Sequence, residues 1–137
     1  MANMTTEGLT EFSLSLEELS SVPDNIFDRM LNGMAEVIER AQKSKGRAYG
    51  VYRTGVTLES IRRGKPRRDN DGGRIAITPQ GKNPRGTSNA EVAFINEFGK
   101  RGQAPRPFIR DANEESADAA VDAAARVYDE WLKSKEL

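Results

Sequence analysis

The sequence holds no cysteine and no histidine in 137 residues. Without a thiol there is no cysteine nucleophile, no thiolate metal site and no disulfide. Without an imidazole there is no Ser-His-Asp triad, no histidine zinc site and no haem ligation through histidine. Catalysis would fall to carboxylates, Lys, Tyr, Ser or Thr, with at most a hard metal. The lack of disulfides fits a reducing compartment. Long apolar runs are missing too. The longest, Val92-Ala93-Phe94-Ile95, has four residues, where a membrane span needs roughly 20. Met1 to Phe12 carries acids and no base, so neither a secretory signal nor a transit peptide is expected there.

What is present is charge. Charged residues make up 31% of the chain and hydrophobic residues 36%, with a mean hydropathy of −0.68. This is the composition of one domain, residues 1–137, with one modest core. The net charge is zero but unevenly spread. Residues 1–39 hold eight acids and one base, Arg29; residues 40–85 hold thirteen bases and three acids; residues 86–137 hold ten acids and seven bases. A basic middle lies between acidic ends.

Phe12, Leu14 and Leu16 alternate with polar residues, which predicts a half-buried strand over 9–16. Ile26, Phe27, Met30, Leu31, Met34, Val37, Ile38 and Ala41 recur at helical spacing. They predict a helix from Asp24, as N-cap, to about Lys43, ending by Gly46. Gly33 inside it suggests a close contact with a sheet. After a loop to about Thr54, a short helix or turn carries Leu58 and Ile61. Residues 62–73 contain no apolar side chain, which predicts a mobile loop whose deletion leaves the fold intact. Arg74 to Thr78 reads as a strand and 80–88 as a second polar loop. Asn89 to Phe98 suits a strand or a short helix, stopped by Gly99. A turn over Lys100 to Gln103 leads to an extended segment through Pro105 and Pro107. A final helix, rich in small residues, then runs to about Lys133. The expected fold is α+β: a small antiparallel or mixed β-sheet packed by a long N-terminal helix and a C-terminal helix, with a long flexible basic loop.

Motifs that carry chemistry are few. Gly50 and Gly55 have the spacing of a phosphate-binding loop, but Val56 stands where that loop needs Lys. Asp69-Asn70-Asp71 resembles a fragment of a calcium loop, but Gln80 stands where its closing Glu belongs, which favours a plain turn. Asp118 and Asp122 lie one helical turn apart and read as a solvated face. The strongest signal is Arg62, Arg63, Lys65, Arg67, Arg68 and Arg74, six bases in thirteen residues with two acids. They suit either a nucleic-acid phosphate or an acidic protein surface, or else plain solvation. No aromatic residue lies among them, so base stacking is not expected. The second signal is Glu97, Phe98 and Gly99 followed by Pro105, Arg106, Pro107 and Phe108. A stiff extended arm loses little entropy when it binds, and Phe108 would be its apolar plug. Phe98 is expected to fill the core.

Ala93-Phe94-Ile95-Asn96-Glu97-Phe98-Gly99, a short basic turn, and Ala104-Pro105-Arg106-Pro107-Phe108-Ile109-Arg110-Asp111-Ala112 together resemble the tail-completion or head–tail joining proteins of long-tailed bacteriophages. Thr54-Gly55-Val56-Thr57-Leu58-Glu59-Ser60-Ile61 is similar to an upstream element of that family. The order of elements matches across roughly residues 9–133. The resemblance implies a virion structural protein, assembled in the bacterial cytoplasm, with no catalysis and no cofactor. It implies a homo-oligomeric ring, a hexamer, at the neck or the top of the tail tube, touching adjacent neck and tail-tube or tail-terminator proteins. Glu97, Phe98, Gly99, Pro105, Arg106, Pro107 and Phe108 would form the assembly arm and its base. The basic loop would face either a neighbour's acidic surface or DNA in the central channel. Two other readings stand beside this one: a stand-alone electrostatic nucleic-acid-binding module, and a carboxylate-dependent nuclease or hydrolase.

Overall fold

A computed structural model describes residues 2–5, 10–15, 22–51, 55–69 and 72–135. The fold is α+β, as expected. Five strands, β1 (Ala2–Thr5), β2 (Thr10–Ser15), β3 (Ile61–Arg63), β4 (Arg67–Asp69) and β5 (Gly72–Pro79), form one sheet. Two long helices, α1 (Asp24–Ala48) and α4 (Phe108–Ser134), and two short ones, α2 (Val56–Glu59) and α3 (Asn89–Phe98), complete it. Every strand pairing is antiparallel, in the order β1-β2-β5-β3, with β4 also on β5. No helix among the described residues is long and apolar enough to cross a membrane.

Strand β5 organises the sheet. One of its edges takes β2, Thr10 opposite Ile77 and Ser15 opposite Gly72. The other edge takes β3 near its end, Ile61 opposite Pro79, and β4 near its start, Asp69 opposite Gly72. Between those two pieces three residues, Gly64, Lys65 and Pro66, face two on β5. One residue is extra, so the edge is bulged. The Gly64 N–H still donates to the Ala76 carbonyl at 2.8 Å.

This overturns the expected mobile loop over 62–73: its described residues lie in β3, the bulge of Gly64, Lys65 and Pro66, β4 and the start of β5. Two things replace the missing apolar side chains. The backbone ladder to β5 satisfies the peptide groups. Bases on the inward side also find partners on α1. The Arg68 guanidinium lies 4.2 Å from the Phe27 ring centre and 2.6 Å from Asp24. The Arg63 backbone N–H donates to the Glu39 carboxylate at 2.9 Å.

Helix α1 lies between the sheet and α4. On one side Phe27 and Leu31 reach Gly73 of β5, where an added Cβ would stand 2.2 Å from the Phe27 ring. On the other side, an added Cβ on Gly33 would stand 3.7 Å from the Ala123 carbonyl oxygen of α4. The contact expected for Gly33 was with the sheet; the partner is a helix. Nor does α1 stop by Gly46. It continues to Ala48, because Gly46 is buried and its bare Cα makes room for Leu58 and Phe108. Asp24 is not the N-cap: Pro23 holds that position, and Asp24 turns to Arg68 from the first turn. Along α4, Ala112, Ala120 and Ala124 are buried, and Val127, Tyr128 and Trp131 pack at the margin of the core. Leu132 turns outward instead. A buried polar pair, Gln42 donating to Asn113 at 3.0 Å, ties α1 to α4.

The polar loop over 80–88 is held by its own side chains. The Asn83 carboxamide oxygen accepts from the Arg85 and Thr87 N–H groups at 3.0 Å each. Ser88 then caps α3 by accepting from the Glu91 N–H.

Candidate functional site

Asn89 to Phe98 resolves as a helix, and its polarity is inverted. Its buried residues are Asn89, Ala93 and Glu97, a stripe at four-residue spacing. Its large apolar residues face out: Phe94 is 54% and Phe98 48% exposed. Their ring centres lie 4.7 Å apart, tilted against each other. Phe98, expected in the core, is therefore a surface residue. It is turned outward because Glu97 claims the inward position.

Glu97 earns that position by capping α4. Its carboxylate accepts from the backbone N–H groups of Ile109 at 2.8 Å and Arg110 at 3.2 Å, which no turn of the helix satisfies. Burial pushes the Glu97 carboxyl above its ordinary range, and the two backbone donors and Arg110 only partly offset that. Gly99 ends α3 at φ 78°, and an added Cβ would stand 2.8 Å from the Gln103 carbonyl and 2.9 Å from the Pro105 nitrogen. Only glycine fits both that backbone and that space. Lys100 and Gln103 close the turn. The Arg106 N–H donates to Asn96, and its guanidinium donates to the Gly50 carbonyl at 3.2 Å.

The expected arm is thus a brace. Glu97, Gly99, Pro105, Arg106, Pro107 and Phe108 do meet at one junction, but Pro107 is the N-cap of α4 and Phe108 lies fully buried in the chain's own core. Phe108 is no free plug. The exposed apolar group at this junction is the Phe94–Phe98 pair, and Phe94 was not singled out in the sequence. The signal for it was the four-residue spacing of two phenylalanines opposite a glutamate. Next to the junction, the Tyr49 hydroxyl donates to Asp111. That bond, before any other cause, holds the Asp111 carboxyl below its ordinary range and pushes the Tyr49 phenol up.

The six bases divide by sheet face. Arg62, Arg67 and Arg74 are exposed at positions alternating with the inward Ile61, Gly73 and Ile75, with Arg67 directly opposite Arg74. Lys65 is exposed in the bulge. Arg63 and Arg68 point to α1, where Glu39, Asp24 and Asp28 lie beside them. Part of the basic middle therefore answers the acidic N-terminal region within one molecule. On the far side of α1, the outer face of α4 exposes Glu114, Asp118, Asp122 and Asp129 beside Arg126, while Glu115 and Glu130 turn back to Lys45 and Arg29 of α1. Asp118 and Asp122 are solvated, as read from the sequence.

A cleft of about 570 Å³ lies between the Gly50 turn, the 82–88 loop, α3 and the turn after Gly99. Gly50, Gly55 and Thr57 form part of its wall. Arg85, Lys100 and Arg106 line it, and no carboxylate does among the described residues. Neither Arg85 nor Lys100 was marked as a site residue by the sequence, since the two lie in different loops that only the fold brings together. No group of three or more acids that could hold a metal occurs among the described residues. No family of known proteins, no curated protein and no solved structure matches the chain.

Proposed function

We propose that this chain is a structural component of a long-tailed phage virion, of the tail-completion type, acting as a repeated subunit in a ring at the neck or the top of the tail tube. The observation that carries the reading is the inverted helix α3. Two phenylalanine rings stand in water at the end of a helix whose acidic residue is buried. Exposed aromatic pairs on a rigid base mark protein–protein contacts, because such rings supply most of the energy of an interface. Glu97 and Gly99 supply the rigid base, so little order is lost on docking.

A ring of identical subunits needs two different surfaces that fit each other. The outer sheet face with Arg62, Lys65, Arg67 and Arg74, and the outer face of α4 with its acids, have the opposite signs such a contact requires. In this reading the Phe94–Phe98 pair meets an adjacent neck or tail-tube protein. The chain performs no chemistry and uses no cofactor.

The test is mass measurement by light scattering, with negative-stain imaging, of the purified protein alone and with tail tubes. Wild type is expected to form rings on tubes. The double variant Phe94→Ser, Phe98→Ser should keep its helical circular dichroism and fail to join them. Undiminished association of that variant would sink the proposal. A second reading, a stand-alone nucleic-acid-binding module, draws on the same exposed arginines of the sheet. It requires that the isolated monomer bind duplex DNA with an affinity falling steeply in salt.

A further inference from the structure

The cleft beside α3 belongs neither to the aromatic pair nor to the outer sheet face. Its three cations come from three separate segments: Arg85 from the loop after β5, Lys100 from the turn after Gly99, Arg106 from the segment before α4. None of the three has a carboxylate partner among the described residues. Elsewhere the fold pairs its bases readily, Lys45 with Glu115, Arg63 with Glu39 and Arg68 with Asp24. Like charges gathered in a concave site repel one another, and a bound anion relieves that repulsion.

We infer that this cleft binds a phosphate monoester, its phosphate on Arg85, Lys100 and Arg106 and its organic body against Val51, Val92 and Ile95. Two planar guanidinium forks and an ammonium match a group with nearly two negative charges and three acceptor oxygens. A carboxylate, with one charge and two oxygens, would leave one of them unanswered. The Arg106 guanidinium is already aimed, because one of its nitrogens donates to the Gly50 carbonyl at 3.2 Å. Asn96 and Gln103 add amide groups to the lining. The volume, about 570 Å³, suits a ligand of nucleotide size. Gly50 and Gly55 carry no side chain that would hold a phosphate away from the wall. The lysine that the segment Gly50 to Thr57 lacks in sequence is replaced in space by three bases from elsewhere.

The experiment titrates the full-length, ¹⁵N-labelled protein with inorganic phosphate, adenosine 5′-monophosphate and a short single-stranded oligothymidylate, following backbone amide shifts. Shifts at Gly55, Thr87 and Lys100 are expected. Arg85→Gln and Lys100→Gln, whose side chains make no hydrogen bond or ion pair among the described residues, should each weaken binding about tenfold or more. Lys133→Gln, an exposed base in the last turn of α4, should leave it unchanged. Binding of the mononucleotide identifies a free nucleotide as the source of the phosphate. Binding of inorganic phosphate or of the mononucleotide upholds the site. Binding of the oligonucleotide alone overturns it, because each backbone phosphodiester carries one charge and two free oxygens. Absence of cleft shifts with all three probes, full affinity in Arg85→Gln and Lys100→Gln, or equal binding of a tetraglutamate peptide overturns it.

Discussion

Glu97 is pulled in two directions. Burial favours its neutral form, and the N–H groups of Ile109 and Arg110 favour its charged form. Burial prevails, so the folded-state carboxyl titrates above its ordinary value. The folded chain then binds this proton more tightly than the unfolded chain does. The site's contribution to stability falls as pH rises from the ordinary glutamate range through the raised value, and is constant above it. Removing the side chain leaves the buried Ile109 N–H and the part-buried Arg110 N–H without an acceptor. Glu97→Ala is therefore expected to cost about 1–3 kcal/mol in urea unfolding at neutral pH. An unchanged midpoint would mean that water replaces the cap. Asp111 has the opposite sign. The Tyr49 hydroxyl lowers its carboxyl, with help from Arg110, so this contribution is present above the ordinary aspartate value and is lost as pH falls through the lowered one. Tyr49→Phe should return the Asp111 titration, followed by carboxyl ¹³C shifts, towards the ordinary range. A curve that does not move would assign the shift to Arg110 instead.

At the scale of elements, the long helices were legible because a stripe at helical spacing has one physical meaning. The strands β3 and β4 were not. Their outward residues are bases that need no burial, and their inward base, Arg68, packs its guanidinium on Phe27, so hydropathy carried no trace of a strand. Helix α3 misled differently. Both its faces hold apolar residues, and what decides between them is a cap acting on Ile109, twelve residues along the chain. The cleft was half visible, as two glycines, while its charges lay in loops that only the fold brings together. The bulged β3–β4 edge carries its own prediction. Deleting residues 62–73 removes β4, most of β3 and the start of β5. The outcome expected is an unfolded chain by circular dichroism, the reverse of what a mobile loop predicts. A milder probe of the same contact is Gly73→Ala, which forces Phe27 and Leu31 away from the sheet and should cost about 1–3 kcal/mol. A variant as stable as wild type would mean that α1 has slack against β5.

For the whole molecule, the charge is layered: bases on the outer sheet, α1 in the middle, acids on the outer side of α4. A molecule with one such pair of faces can stack on itself head to tail, and it closes into a ring if each step turns by the right angle. This arrangement has a consequence that no two-fold contact shares. Reverse the sheet face with Arg62→Glu, Lys65→Glu, Arg67→Glu and Arg74→Glu, and both outer faces become acidic. Reverse α4 with Glu114→Lys, Asp118→Lys, Asp122→Lys and Asp129→Lys, and both lean basic. Each variant alone then meets like charge with like, and each should remain monomeric under conditions where wild type assembles. Mixed in equal amounts, the reversed sheet of one meets the reversed helix of the other, while the untouched faces meet as in wild type. Alternating assembly should return, in even-numbered rings only, read as recovered mass by light scattering. It should weaken above physiological salt, where screening shortens the reach of exposed charges to about 8 Å or less. Assembly of either variant by itself, or no recovery on mixing folded variants, would show that these two faces do not meet.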